Sequence, residues 1–148
     1  MDCPACARLE RVRRGEDPLC ICEMRESFCL LHKHQGYEGW CSVFLKDHAE
    51  RLEDLSRSRQ ERLWADVMDV AGAIGRAFSP RRLNYECLGN VVPHVHWHVI
   101  PRYAAPVDPD PSSTVWTRPE SELNCGVSPE RAAELILRLK DAGLRGVQ

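Results

Sequence analysis

Seven consecutive residues, His94-Val95-His96-Trp97-His98-Val99-Ile100, concentrate the reactive side chains of this chain. Side chains alternate faces in a β-strand. Imidazoles at i, i+2 and i+4 would therefore stand in a row about 6.8 Å apart, while Val95, Trp97 and Val99 turn toward a core. A row of rings that titrate near neutral pH suits a polyphosphate, because one ring can attack phosphorus while a neighbour assists the leaving group. An isolated strand histidine is ordinarily a hydrogen-bonded structural residue, but three at period two between apolar residues point to chemistry. Metal chelation is the competing use, since alternating histidines on one strand can also bind zinc or iron. That use needs a further ligand, and the next acidic residue, Asp108, lies beyond Pro101 and Pro106.

The surrounding elements must hold this row in place. Pro93 and Pro101 bracket it and predict a strand from His94 to Ile100, because proline gives no amide hydrogen to a ladder and sits best at strand ends. Residues 19–31, apolar except for Glu23-Met24-Arg25-Glu26, predict two short strands or a hairpin. A turn around Gly36 and Gly39 leads to a buried strand at Cys41–Leu45. Helical spacing of Leu63, Val67, Val70, Ala71, Ile74 and Phe78 predicts a long helix over 57–78, ended by Ser79-Pro80. Residues 82–88 read as another strand, and four prolines make 103–120 an irregular arm. Ser128-Pro129-Glu130 opens a last helix that runs to about Asp141, with Gly143 behind it. The sum is an α+β domain: an antiparallel sheet of about five strands, one long helix on one face and a C-terminal helix.

Composition narrows the partners. The 148 residues are 43% hydrophobic and 28% charged, which suits one globular domain. A net charge of −2 supplies no basic field for a long nucleic acid, yet leaves a small anionic ligand open. No apolar run reaches the roughly 20 residues of a membrane span, and Met1-Asp2-Cys3-Pro4 lacks a signal-peptide profile, so a cytoplasmic location is expected. In that reducing setting the eight cysteines read as thiols or metal ligands. Cys3-Pro4-Ala5-Cys6 has the spacing of a zinc knuckle, with a disordered N-terminus carrying free thiols as the alternative. Cys20 and Cys22 are expected on one strand face, Cys29, Cys41 and Cys87 in the core, and Cys125 exposed.

His94–Ile100 resembles the signature of the histidine triad (HIT) superfamily, His-φ-His-φ-His-φ-φ with φ apolar. The likeness extends over roughly residues 3–103, through Gly39-Trp40-Cys41-Ser42-Val43-Phe44-Leu45-Lys46-Asp47-His48 and Asn84 to Arg102. The lead-in Asn84-Tyr85-Glu86-Cys87-Leu88-Gly89-Asn90 and Trp97 look like a bacterial branch related to diadenosine-tetraphosphate hydrolases. The resemblance implies a HIT domain at 1–103 with an N-terminal zinc knuckle, and a Pro-rich arm plus C-terminal helix at 104–148 packed on it. It implies a hydrolase or nucleotidyl transferase acting at the α-phosphate of a nucleotide derivative. His96 would be the nucleophile, His98 would contact the bridging oxygen, and His94 would support the geometry. Asn90 and Asn84 are implied as phosphate and polar contacts.

The resemblance also implies a closed structural Zn²⁺ on Cys3, Cys6, His48 and His94, a chemical step that needs no metal, and a homodimer. Two departures stand out. Val91 occupies a place often held by Ser or Thr, and His32 falls where an acidic residue commonly holds the ribose hydroxyls. His32, Lys33 and His34 are open between substrate contact and a solvated turn. The arm with Trp116 is open between dimer interface, substrate cleft and flexible tail. A nucleotide binder without turnover and a metal enzyme using the triad as ligands are the alternative functions.

Overall fold

Residues 27–31 and 41–45 carry apolar side chains on both faces and are buried throughout, so the sheet must be covered on both sides. The computed structural model describes residues 3–123 and 126–147 and has this layering. In chain order the elements are α1 (Pro4–Arg13), β1 (Cys20–Glu23), β2 (Ser27–Leu31), β3 (Cys41–Leu45), α2 (Arg57–Phe78), β4 (Arg82–Glu86), β5 (His96–Arg102), α3 (Glu120–Leu123) and α4 (Pro129–Asp141). The five strands form one antiparallel sheet in the order β1-β2-β3-β5-β4. Cys29, Leu31, Cys41, Val43, Leu45 and Val99 face a core built with Leu63, Val67, Val70 and Ile74 of α2 and Leu135 and Leu139 of α4. Phe28, Leu30 and Phe44 on the other face pack against Leu9 and Val12 of α1.

Local chemistry fixes the joints. Gly39, at φ +94°, makes the turn into β3, and a Cβ there would lie 2.6 Å from the Phe78 ring. Ser79 closes α2 in the left-handed conformation before Pro80, and the Ser128 side chain caps α4 by accepting from the Arg131 amide. The β1–β2 turn is held from outside the sheet by Asp66 of α2, whose side chain is fully buried. It accepts from the Glu26 amide at 2.9 Å, the Ser27 hydroxyl at 2.8 Å, the Arg25 amide at 3.3 Å and Arg25 Nη1 at 3.0 Å.

Several expectations need correction. The histidine strand starts two residues late: β5 begins at His96, so His94 and Val95 precede it, and it continues through Pro101 to Arg102. Pro101 is tolerated because β3 stops pairing at Val99, leaving Pro101 a neighbour on the β4 side alone. Cys20 and Cys22 do not share a face, since a register shift between them sends Cys20 to the α1 side and Cys22 to the α2 side. From Cys3 on, the alternative of a disordered stretch with free thiols does not hold, because the knuckle opens a ten-residue helix with Cys3 buried at its start. The strand expected over 82–88 ends at Glu86. Cys125 lies outside the described residues, and among them no helix is long and apolar enough to cross a membrane.

Asp66→Ala would strand the amide and hydroxyl donors of the β1–β2 turn. Urea unfolding is expected to report a loss of roughly 3 kcal/mol; a change below about 1 kcal/mol would show that the turn holds without this carboxylate.

Candidate active site

Strand alternation puts His96 and His98 side by side, their ring centroids 5.1 Å apart and their planes close to perpendicular. Across the ladder His96 faces Phe44 and His98 faces Ser42, and the Phe44 ring stacks on His96 at 5.1 Å. The hydrogen bonds assign the two rings opposite tautomers. His96 Nδ1 lies 2.6 Å from the carbonyl oxygen of His94, which can only accept, so Nδ1 carries the hydrogen and Nε2 keeps its lone pair. Trp40 Nε1, which can only donate, gives its hydrogen to His98 Nδ1 at 3.2 Å, with Ser42 Oγ 3.5 Å away. His98 Nδ1 therefore accepts and Nε2 carries the hydrogen. A lone pair and an N–H thus stand next to each other. Burial, and then the neighbouring His96, push His98 down to about 4, so it is neutral at neutral pH.

The pair sits in a cleft of about 500 Å³ whose wall includes His32, Asn90, His96 and His98. That size is in the range of small-molecule sites. The 88–92 loop, with Val91 91% exposed, forms one rim. His32 does not lie in a solvated turn: its ring stacks on Trp40 at 3.9 Å and meets His98 edge-on at 5.4 Å. Burial, followed by His98 and His34, pushes its pKa down to about 3. Lys33 lines the cleft as well, whereas His34 pairs with Gly126 in an isolated bridge. Of the alternatives for the arm, Trp116 stands in the cleft wall, edge-on to His98 at 5.4 Å and to Trp40 at 5.6 Å. The arm is tied down by the buried pair Arg102–Asp108 at 2.7 Å and by Val115, which packs with Tyr37, Trp40 and Ile100.

Two predicted site residues are elsewhere. Asn84 lies outside the cleft wall, opposite Ile100, and its side-chain oxygen accepts from Arg102 Nη1 at 2.8 Å, so its amide helps anchor the arm. His94, ahead of the strand, turns away from the other two imidazoles. Its Nε2 donates to the Leu45 carbonyl at 2.8 Å, which leaves the Nδ1 lone pair facing Cys3 and Cys6. Arg8, Ser42 and Phe44 in the cleft wall, and buried Trp40 behind His98, escaped the sequence reading as site groups. The one signal for Ser42 and Phe44 was period two, since they alternate with the core residues of β3.

Cys3, Cys6, His48 and His94 form the group among the described residues that could hold a metal, their ligand atoms all within 4.8 Å of one another. The sulfur-to-nitrogen distances are 3.6 Å for Cys3–His94, 3.6 Å for Cys6–His94 and 3.5 Å for Cys6–His48. A tetrahedral ion with Zn–S of about 2.3 Å and Zn–N of about 2.0–2.1 Å has S···N edges of about 3.5 Å, so the donor set fits zinc. His96 and His98 are not part of this group.

Neutral His98 and His32 make a pH dependence with a definite sign. Their folded pKa values lie below the unfolded value of about 6.5, so their contribution to stability is full above that pH. It is lost as pH falls from about 6.5 toward about 4, where His98 takes its proton in the folded state. Urea midpoints should drop between pH 7 and pH 5, with a shallower drop in His98→Asn; identical slopes in the two proteins would contradict a neutral, buried His98.

Comparison with known proteins agrees with this geometry. The family model for the HIT domain matches residues 14–105. A histidine triad (HIT) protein from Sinorhizobium meliloti 1021 superposes with a TM-score of 0.76 at 22% identity, covering 90% of this chain and 93% of that one. A hypothetical histidine triad nucleotide-binding protein from Sulfolobus tokodaii strain7 gives 0.71 at 20% identity, covering 93% and 91%. A Zn-bound histidine triad family protein from Mycobacterium smegmatis gives 0.64 at 23% identity, covering 96% and 93%. No curated protein matches the chain. HIT-family proteins are nucleotide-binding hydrolases or transferases. With the family model matched over residues 14–105, well over half of its length, this chain belongs to the HIT family.

Proposed function

We propose that the chain is a nucleotide hydrolase or nucleotidyl transferase that attacks the α-phosphate of a nucleotide derivative and passes through a covalent nucleotidyl-His96. The observation that carries this reading is the opposed tautomer pair. In the first step a bond forms between His96 Nε2 and phosphorus while the bond from phosphorus to the bridging oxygen breaks, the electron pair leaving with that oxygen. His98 Nε2–H donates a hydrogen bond to the departing oxygen. The imidazolium formed on His96 keeps its Nδ1–H on the His94 carbonyl, which is placed to stabilise the charge. Water then bonds to phosphorus, the P–N bond breaks with its electrons returning to Nε2, and a proton is released to solvent. Asn90, on the cleft rim, is suited to donate to a phosphate oxygen, and His32 and Trp116, both backed by the buried Trp40 ring, to hold the remainder of the substrate.

Cys3, Cys6, His48 and His94 would hold a structural Zn²⁺, an assignment supported by the S···N distances and the free Nδ1 of His94. When bound, the ion would cross-link α1 to the segment before β5 and keep His94 out of acid–base chemistry, leaving its carbonyl for His96. A homodimer through the free edge of β4 is supported by exposed Trp64, Met68 and Tyr85 beside it, with Trp64 packed 5.4 Å from Trp97.

His96→Gly should lower turnover by at least about a thousandfold, with nucleotide binding retained. Quenched wild-type reactions should yield a nucleotidyl adduct on His96 by mass spectrometry; full activity in the variant would end this reading. Native mass spectrometry is expected to show two chains carrying two zinc ions, and a chelator should lower the melting temperature; a zinc-free monomer with an unchanged melting curve would contradict both assignments.

A further inference from the structure

Glu86 pairs in register with His98, so both side chains stand on the same face of the sheet, the one that carries the cleft. A carboxylate beside an imidazole that serves a phosphate is a liability, because its charge opposes the ligand. No Lys or Arg of the described residues forms an ion pair with Glu86. Its side chain instead accepts the indole hydrogen of Trp116.

Trp116 belongs to the arm, beyond residues 14–105 that the family model matches. Its backbone is fixed by Val115, which is fully buried against Tyr37, Trp40 and Ile100. That anchor leaves the indole free to turn about its own side-chain bonds, and the hydrogen bond to Glu86 removes this freedom. The ring then stands edge-on to His98 at 5.4 Å and to Trp40 at 5.6 Å. It is 43% exposed, and no ring of the described residues stacks on its face. A bare indole face in a cleft wall is a platform for another planar ring.

The same contact hides the carboxylate. Trp116 lines the cleft, whereas Glu86 lines a separate groove of about 210 Å³ with Arg82 and Thr114. No Asp or Glu is among the described residues of the cleft wall. The indole is therefore a partition with the charge behind it.

Building on the proposed nucleotide chemistry, we infer that Glu86 and Trp116 act as one unit in substrate recognition. Glu86 is a positioning residue that fixes the indole as a stacking platform for the planar ring of the nucleotide, and the indole screens that carboxylate from the phosphates. One charge then has two opposite effects. With Trp116 in place it favours binding by aiming the ring; without Trp116 it opposes binding by repulsion.

The test measures Kd by calorimetry for the α,β-methylene analogues of adenosine and guanosine diphosphate in wild type, Glu86→Gln, Trp116→Ala and the double variant. Trp116→Ala should weaken binding by on the order of tenfold, the scale of one lost stacking contact. Glu86→Gln should weaken binding about threefold when Trp116 is present and strengthen it about threefold when Trp116 is absent. That reversal of sign is not produced by a residue that merely supports the strand, and it survives any loosening of the arm, since both proteins of the second pair share the Trp116→Ala change. By NMR, the Trp116 indole hydrogen, assigned by its loss in Trp116→Ala, should be protected from solvent exchange in wild type and unprotected in Glu86→Gln. An effect of the same sign in both backgrounds, or an indole hydrogen equally unprotected in both proteins, overturns the inference and leaves nucleotide binding intact. No binding of either analogue by wild type overturns this inference together with the nucleotide reading beneath it.

Discussion

One hydrogen bond organises the active centre: His96 Nδ1 to the carbonyl of His94 at 2.6 Å. It aims the central imidazole, fixes its hydrogen on the far nitrogen and leaves Nε2 as a free lone pair. The bond requires the backbone at His94 to bend away from the strand, and that bend also carries the His94 ring to the Cys3–Cys6 side. Three residues that look equivalent in the sequence therefore receive three environments: a thiol pair, an aromatic face and an indole donor. The Leu45 carbonyl completes the division by holding His94 Nε2, so that its other nitrogen is the one turned to sulfur.

The fold around this bend is a scaffold with two differently employed faces. The α2 side is apolar except for Asp66, which reaches across to order the β1–β2 turn, and it supplies most of the burial. The other face is shared between α1, the imidazoles and the arm. Each is fastened by a different interaction: apolar packing of Leu9 and Val12, strand register with Ser42 and Phe44, and the buried Arg102–Asp108 pair. Each guanidinium nitrogen of Arg102 has an acceptor, Nη1 donating to Asn84 and Nη2 to the Asp110 carbonyl beside the Nε–Asp108 bond. A chain segment with four prolines and little regular structure thereby becomes a fixed wall that presents Trp116.

Much of this was legible in the sequence because it follows from period and punctuation. The 3.6 period gave α2, Ser128-Pro129 marked the start of α4, a short run after the glycine turn marked β3, and alternation marked the His96/His98 face. The Cys-x-x-Cys spacing and the likeness to other triad proteins singled out the four residues that converge near the N-terminus. What stayed hidden depends on long-range contacts. Period two alone could not tell that the strand would begin after His94, because the deciding contacts, with Leu45 and the cysteines, are 49 and more residues away. The shift at Cys20–Cys22 also leaves no mark in the residue pattern. Arg8 reaches the cleft only through the packing of α1, Trp40 meets His98 only through the turn at Gly39, and Asn84 is drawn off by an arginine eighteen residues downstream.

The most direct test of nucleophilic attack by His96 is a crystal structure with a non-hydrolysable α,β-methylene nucleotide in the cleft. The account predicts the α-phosphorus about 3–3.5 Å from His96 Nε2 and in line with the bridging atom, which should lie within hydrogen-bond reach of His98 Nε2. An α-phosphorus more than about 5 Å from that nitrogen, outside any near-attack geometry, or a metal ion seated on His96 and His98, would contradict it.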